Sequence, residues 1–99
     1  MGPIVVTAIA FKSGRRLIKV SDCNGSQKAA ERIMSVERTA NTGKHAESYI
    51  DDWQAAVYPD LPAARSGVMS DFGIDWFNIA RKELDNPPVA LGMGAPPRS

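Results

Sequence analysis

The chain has 99 residues, 43% of them hydrophobic and 23% charged, with a formal net charge of +1. That length holds one hydrophobic core, and the balance excludes wholesale disorder, which needs low hydrophobicity and high net charge. No run approaches the ~20 apolar residues of a spanning helix, and the single cysteine, Cys23, excludes an internal disulfide and any multi-cysteine zinc site.

Ile4 to Phe11 is rich in Val, Ile and Thr and predicts a strand, with Leu17 to Val20 as a second. Reading Ser13-Gly14 as a two-residue turn places Lys12 opposite Arg15, Ile9 opposite Ile18 and Thr7 opposite Val20. Side chains alternate along a strand, so Val5, Ile9, Phe11, Ile18 and Val20 are expected on one apolar face, with Val6, Ala8, Ala10 and Leu17 on the other. An isolated hairpin is barely stable in water, so helices are expected to cover that apolar face.

Asn24-Gly25 is turn chemistry, and Ser26 is suited to cap a helix from Gln27 to about Ala40. Ala29, Ile33, Val36 and Ala40 recur there at helical spacing, widened by Ala30 and Met34, and Asn41-Thr42-Gly43 ends the run. Lys44 to Val57 predicts a second helix, its stripe formed by Ala46, Tyr49, Ile50, Trp53 and Val57. Tyr58-Pro59-Asp60-Leu61-Pro62 cannot continue it. Asp60 is placed to cap a short turn over Pro62 to Val68. A last helix runs from Ser70 or Asp71 to about Leu84, with Phe72, Trp76, Ile79, Ala80 and Leu84 inward. Val89 to Ser99, full of Gly, Pro and small residues, reads as a tail behind one domain spanning residues 1–88. The resulting class is α+β: an N-terminal antiparallel hairpin, then three or four helices packed on one face.

Catalytic chemistry finds little material. No glycine spacing matches a phosphate-binding loop, Gly92-Met-Gly94 included. His45 is the only histidine and is expected to face solvent in a first helical turn. Cys23 would need a neighbouring base, and Asp22 beside it disfavours the thiolate. Asp71 and Asp75 are read as complements to a helix N-terminus, Asp51 as part of a solvated face. Trp53 and Trp76 sit within apolar stripes and are expected in the core. These readings point to a protein that is not an enzyme and uses no metal or cofactor.

Charge is distributed unevenly. Residues 1–49 carry eight Lys/Arg and four Asp/Glu, net +4, whereas residues 50–99 carry four and seven, net −3. Lys12, Arg15, Arg16 and Lys19 gather about the hairpin, and Lys28 and Arg32 stack at i, i+4 on the next helix. These six residues are the candidate partner-binding site. The function expected is a small non-catalytic protein-binding module, accessory or inhibitor-like, acting through the basic hairpin and an exposed sheet edge, across which a homodimer could also form. Nucleic-acid binding through the hairpin and the Lys28/Arg32 helix face is the alternative; a subunit of a larger assembly such as a virion is another. A cytoplasmic address and no membrane association are expected from the missing basic leader and spanning run.

Overall fold

The computed structural model describes residues 2–90. It is α+β: a three-stranded antiparallel sheet in the order β2-β1-β3, with β1 (Ile4–Phe11) central, β2 (Arg16–Asp22) on one side and β3 (Ile50–Tyr58) on the other. Helices α1 (Gln27–Thr42) and α2 (Lys44–Glu47) precede β3. After β3 come α3 (Leu61–Gly67), a π-helical turn (Val68–Phe72) and α4 (Ile74–Asp85).

Every residue from Ile4 to Ile9 is buried, so β1 is covered on both faces. A strand with that unbroken apolar run belongs in the middle of a sheet with layers above and below it. On one face Ile4, Val6 and Ala8, with Ile18 and Val20 of β2, pack against Ala64, Val68, Ala80 and Leu84 of the C-terminal helices. On the other, Val5 packs with Cys23 against Ala29, Ala30 and Ile33 of α1, and Ile9 packs with Ile50 against Ala46 of α2. The expected single helical layer is therefore two layers, one on each side of the sheet.

The hairpin register differs by one residue from expectation. Ala8 stands opposite Ile18 and Ile9 opposite Leu17. The loop is the three residues Lys12-Ser13-Gly14: the Phe11 amide donates to the Arg15 carbonyl and the Gly14 amide to the Phe11 carbonyl, both at 2.9 Å. Gly14 has φ +94°, the left-handed position that closes such a loop. A one-residue slip exchanges faces, which moves Ile18 and Val20 away from Val5 and Ile9 and onto the side of Val6 and Ala8.

The helix expected over residues 44–57 is the largest correction. Only its first turn is helical; Ile50–Tyr58 forms β3, registered with β1 from Ile4↔Tyr58 to Ala10↔Asp52, and an irregularity then brings Phe11 opposite Ile50. The segment's β-branched and aromatic residues suit a strand, and β1, apolar on both faces, required a second neighbour. Ile50-Asp-Asp-Trp53 is thus strand while the similar Ile74-Asp-Trp76 is helix, and the two are not copies of one unit.

Local signals elsewhere read true. The Ser26 hydroxyl accepts from the Ala29 amide at 3.0 Å and opens α1, which ends at Thr42 before Gly43. Val36 and Ala40 of the expected stripe are exposed, and Asn41 is buried, its amide donating to Glu37. The Asp60 carboxylate accepts from the Ala63 amide at 2.9 Å and caps α3. The last helix begins later than expected, at Ile74, because Gly73 has φ +116° and separates it from the π-helical turn. Ile79 is exposed, and Phe77 packs on the core instead. Val89 and Ala90, expected as tail, lie on β2: the Asp22 amide donates to the Pro88 carbonyl, and the Ala90 amide to the Asp22 carbonyl. The remainder of that expected tail lies outside the described residues.

Candidate functional site

The six cations expected to act together are dispersed. Lys28 and Arg32 are exposed on the first half of α1, at the end of the sheet where β1 begins. Lys12 and Arg15 are at the hairpin tip, about 25 Å away along an eight-residue strand. Lys19 is held by Glu37 of α1, Nζ to Oε2 2.6 Å, and Arg16 lies over the Trp76 ring, 5.5 Å from its centroid, with Asp75 at 3.9 Å. Arg16–Asp75 joins the basic half of the chain to the acidic half. Lys12, Arg15, Lys28 and Arg32 have no ion-pair partner among the described residues.

At the tip the fold assembles side chains that are far apart in sequence. The Lys12 amide donates to the Tyr49 carbonyl at 2.9 Å, and the Lys12 ammonium to the Glu47 carbonyl at 2.7 Å, fastening the loop to the segment between α2 and β3. Phe11 then stacks on Tyr49, centroids 6.1 Å apart and planes 15° from parallel. Arg15 lies over the Phe11 ring, 5.8 Å from its centroid, and His45 meets Tyr49 edge-on at 5.6 Å. The series Arg15, Phe11, Tyr49, His45 gives the tip a basic and aromatic surface. Sequence reading missed Phe11, Tyr49 and His45 as a group because it placed Tyr49 in a helical stripe.

The two edges of the sheet differ in how they end. The Val20 amide of β2 donates outward to Glu83 Oε1 at 3.2 Å, and Asp22 is paired with Pro88 and Ala90, so β2 is closed over this stretch. Because hydrogen-bonding directions alternate along an antiparallel strand, these outward amides also fix the rest of the sheet. Leu17, Lys19 and Ser21 bond to Ile9, Thr7 and Val5; Ile4, Val6, Ala8 and Ala10 bond to Tyr58, Ala56, Gln54 and Asp52. Trp53, Ala55 and Val57 are left with amides and carbonyls aimed away from the sheet, and none of these groups has a partner among the described residues. The edge of β1 that a two-stranded hairpin would expose is therefore filled by the chain's own β3, and the edge left open among the described residues is the outer side of β3.

Cys23 is buried between β2 and α1, and its amide donates to the Pro3 carbonyl at the opposite end of the sheet from His45. Burial first, and the Asp22 charge next, push its thiol above the ordinary range, opposite to what a nucleophile needs. Asp71 accepts from the Tyr58 hydroxyl at 2.9 Å, and Asp75 occupies the first turn of α4, so this carboxylate pair is split by Gly73. No three His, Cys, Asp or Glu side chains converge as metal ligands among the described residues, and no helix there is long and apolar enough to cross a membrane. No family model, curated protein or solved structure matches this chain.

Proposed function

We propose that this chain is a non-catalytic protein-binding module that receives its partner along the outer edge of β3, with the hairpin tip forming the end of the contact. The observation that carries this reading is the difference between the edges: β2 is closed from Val20 to Asp22 by Glu83 and by residues 88–90, and the outward groups of Trp53, Ala55 and Val57 on β3 have no partner among the described residues. Folded proteins blunt exposed edges with proline, lysine or a covering segment. Ile50–Tyr58 contains neither proline nor lysine.

Lys12 and Arg15, with the Phe11–Tyr49 stack, lie where β3 begins and offer cationic and aromatic contacts to the same partner. Nucleic-acid binding has less support. A duplex or strand is held by many phosphate contacts on one surface, and here two cations are taken up by Glu37 and Asp75 and the other four are divided between opposite ends of the sheet.

Affinity capture of the full chain from the cells that make it tests the reading, with wild type beside Ala55→Pro and beside Lys12→Glu combined with Arg15→Glu. Proline at 55 removes one outward amide and no bond to β1, so the sheet should persist. A protein retained by wild type and lost from Ala55→Pro is the expected result. Capture unchanged by Ala55→Pro would remove β3 from the reading.

A further inference from the structure

The chemistry of the β3 edge narrows what can lie on it. Trp53, Ala55 and Val57, whose amides face outward, also share one face of the sheet, the face that packs against α1 and α2. Val57 is 39% exposed and Trp53 and Ala55 are half-buried, so this row is apolar and incompletely covered. Asp52 and Gln54 on the opposite face are exposed, as is Asp51 at the irregularity beside Phe11. Asp51 and Asp52 take part in no ion pair among the described residues, and the residue capping α3 just beyond β3 is a third acid, Asp60.

An added strand continues the pleat, so its alternate side chains fall beside these two rows. Beside Trp53, Ala55 and Val57 an apolar or β-branched residue is matched. Beside Asp52 and Gln54 a cation is matched, and a carboxylate would face like charge. A second copy of β3 meets this edge badly: antiparallel self-pairing about Ala55 sets Asp51 and Asp52 near the other copy's Asp60, and parallel pairing sets them beside themselves.

We propose that the outer edge of β3 receives an extended segment of a partner protein in which apolar residues alternate with lysine or arginine, the apolar ones beside Trp53, Ala55 and Val57 and the basic ones beside Asp52 and Gln54. The proposal rests on the protein-binding reading above and specifies the partner's chemistry. Main-chain hydrogen bonds supply affinity in this mode of recognition, and alternate side chains supply specificity.

The test uses the full chain and two fluorescein-labelled peptides as long as β3, one alternating lysine with valine and one alternating glutamate with valine, followed by anisotropy at low and high salt. The lysine peptide is expected to bind, and Ala55→Pro to abolish binding. Asp51→Asn with Asp52→Asn should weaken binding about ten-fold at low salt and flatten its salt dependence. Asp51→Lys with Asp52→Lys changes only exposed side chains, and should reverse the preference toward the glutamate peptide whatever the fate of the proline variant. Equal or stronger binding of the glutamate peptide to wild type overturns the proposed chemistry, as does failure of both peptides to bind. If cellular capture still depends on Ala55 in either case, the protein-binding reading stands without it. Sedimentation showing a wild-type dimer that Ala55→Pro dissolves would assign the edge to a second copy and overturn the proposal.

Discussion

The Tyr58 hydroxyl donates a 2.9 Å hydrogen bond to the Asp71 carboxylate, tying the last residue of β3 to the π-helical turn. The ring packs against the larger core cluster, so a single side chain anchors the edge strand to the C-terminal helical layer. Burial first, and Asp71 next, raise the Tyr58 pKa above that of a free tyrosine. A raised folded-state pKa means that the contribution to stability is complete below the unfolded value of ~10 and is lost as pH rises toward the folded value. Wild type should therefore melt at lower temperature above pH ~10. Tyr58→Phe should cost about 1 kcal/mol at neutral pH and lose that part of the alkaline dependence, as read by thermal unfolding across the range.

Gly67 lies against the same ring. A β-carbon there would overlap the Tyr58 ring, in a helix whose Ala64 and Gly67 are buried. Gly67→Ala gains helix propensity but must displace the ring, and the overpacking should prevail at about 1–3 kcal/mol. Chemical denaturation measures it. A stabilised variant would mean that Tyr58 has room to swing away.

Arg15 and Arg16 are neighbours with different duties. Arg15 lies over Phe11 at the tip, whereas Arg16 covers Trp76 and faces Asp75. Arg15→Glu should leave stability within ~0.5 kcal/mol of wild type. Arg16→Glu places a carboxylate beside Asp75 and over an aromatic face, and should cost about 1 kcal/mol. Urea midpoints of the two variants separate these outcomes.

Trp76 is half-buried against the larger core cluster. Trp76→Ala should destabilise by about 2 kcal/mol, below the ~3–5 kcal/mol of a fully enclosed ring. Calorimetric unfolding gives the value.

Glu83 reaches from α4 to the outward amide of Val20. Glu83→Ala should cost about 1–2 kcal/mol by leaving that amide unpaired and should uncover the β2 edge. Hydrogen exchange at Val20 should accelerate far more than at Lys19, whose bonds run inward to β1.

The sequence by itself determined the α+β class, β1, and the starts of α1 and α3. Ser26 and Asp60 act within three residues of themselves, accepting from Ala29 and Ala63, so their chemistry is legible locally. Residues 50–58 were not legible in that way. Ile50, Trp53 and Val57 satisfy a helical spacing as well as a strand's composition, and the choice was made by ladder bonds to β1, more than forty residues earlier. The hairpin register turned on whether Lys12 belonged to the loop, a difference of one residue that exchanges the faces of Ile18 and Val20. The Phe11–Tyr49 stack joins two side chains 38 residues apart, and the closure of β2 joins the Glu83 carboxylate to a backbone amide 63 residues away. Contacts at such separations exist only once the chain has folded back on itself, and the outer edge of β3 is the one they leave without a partner among the described residues.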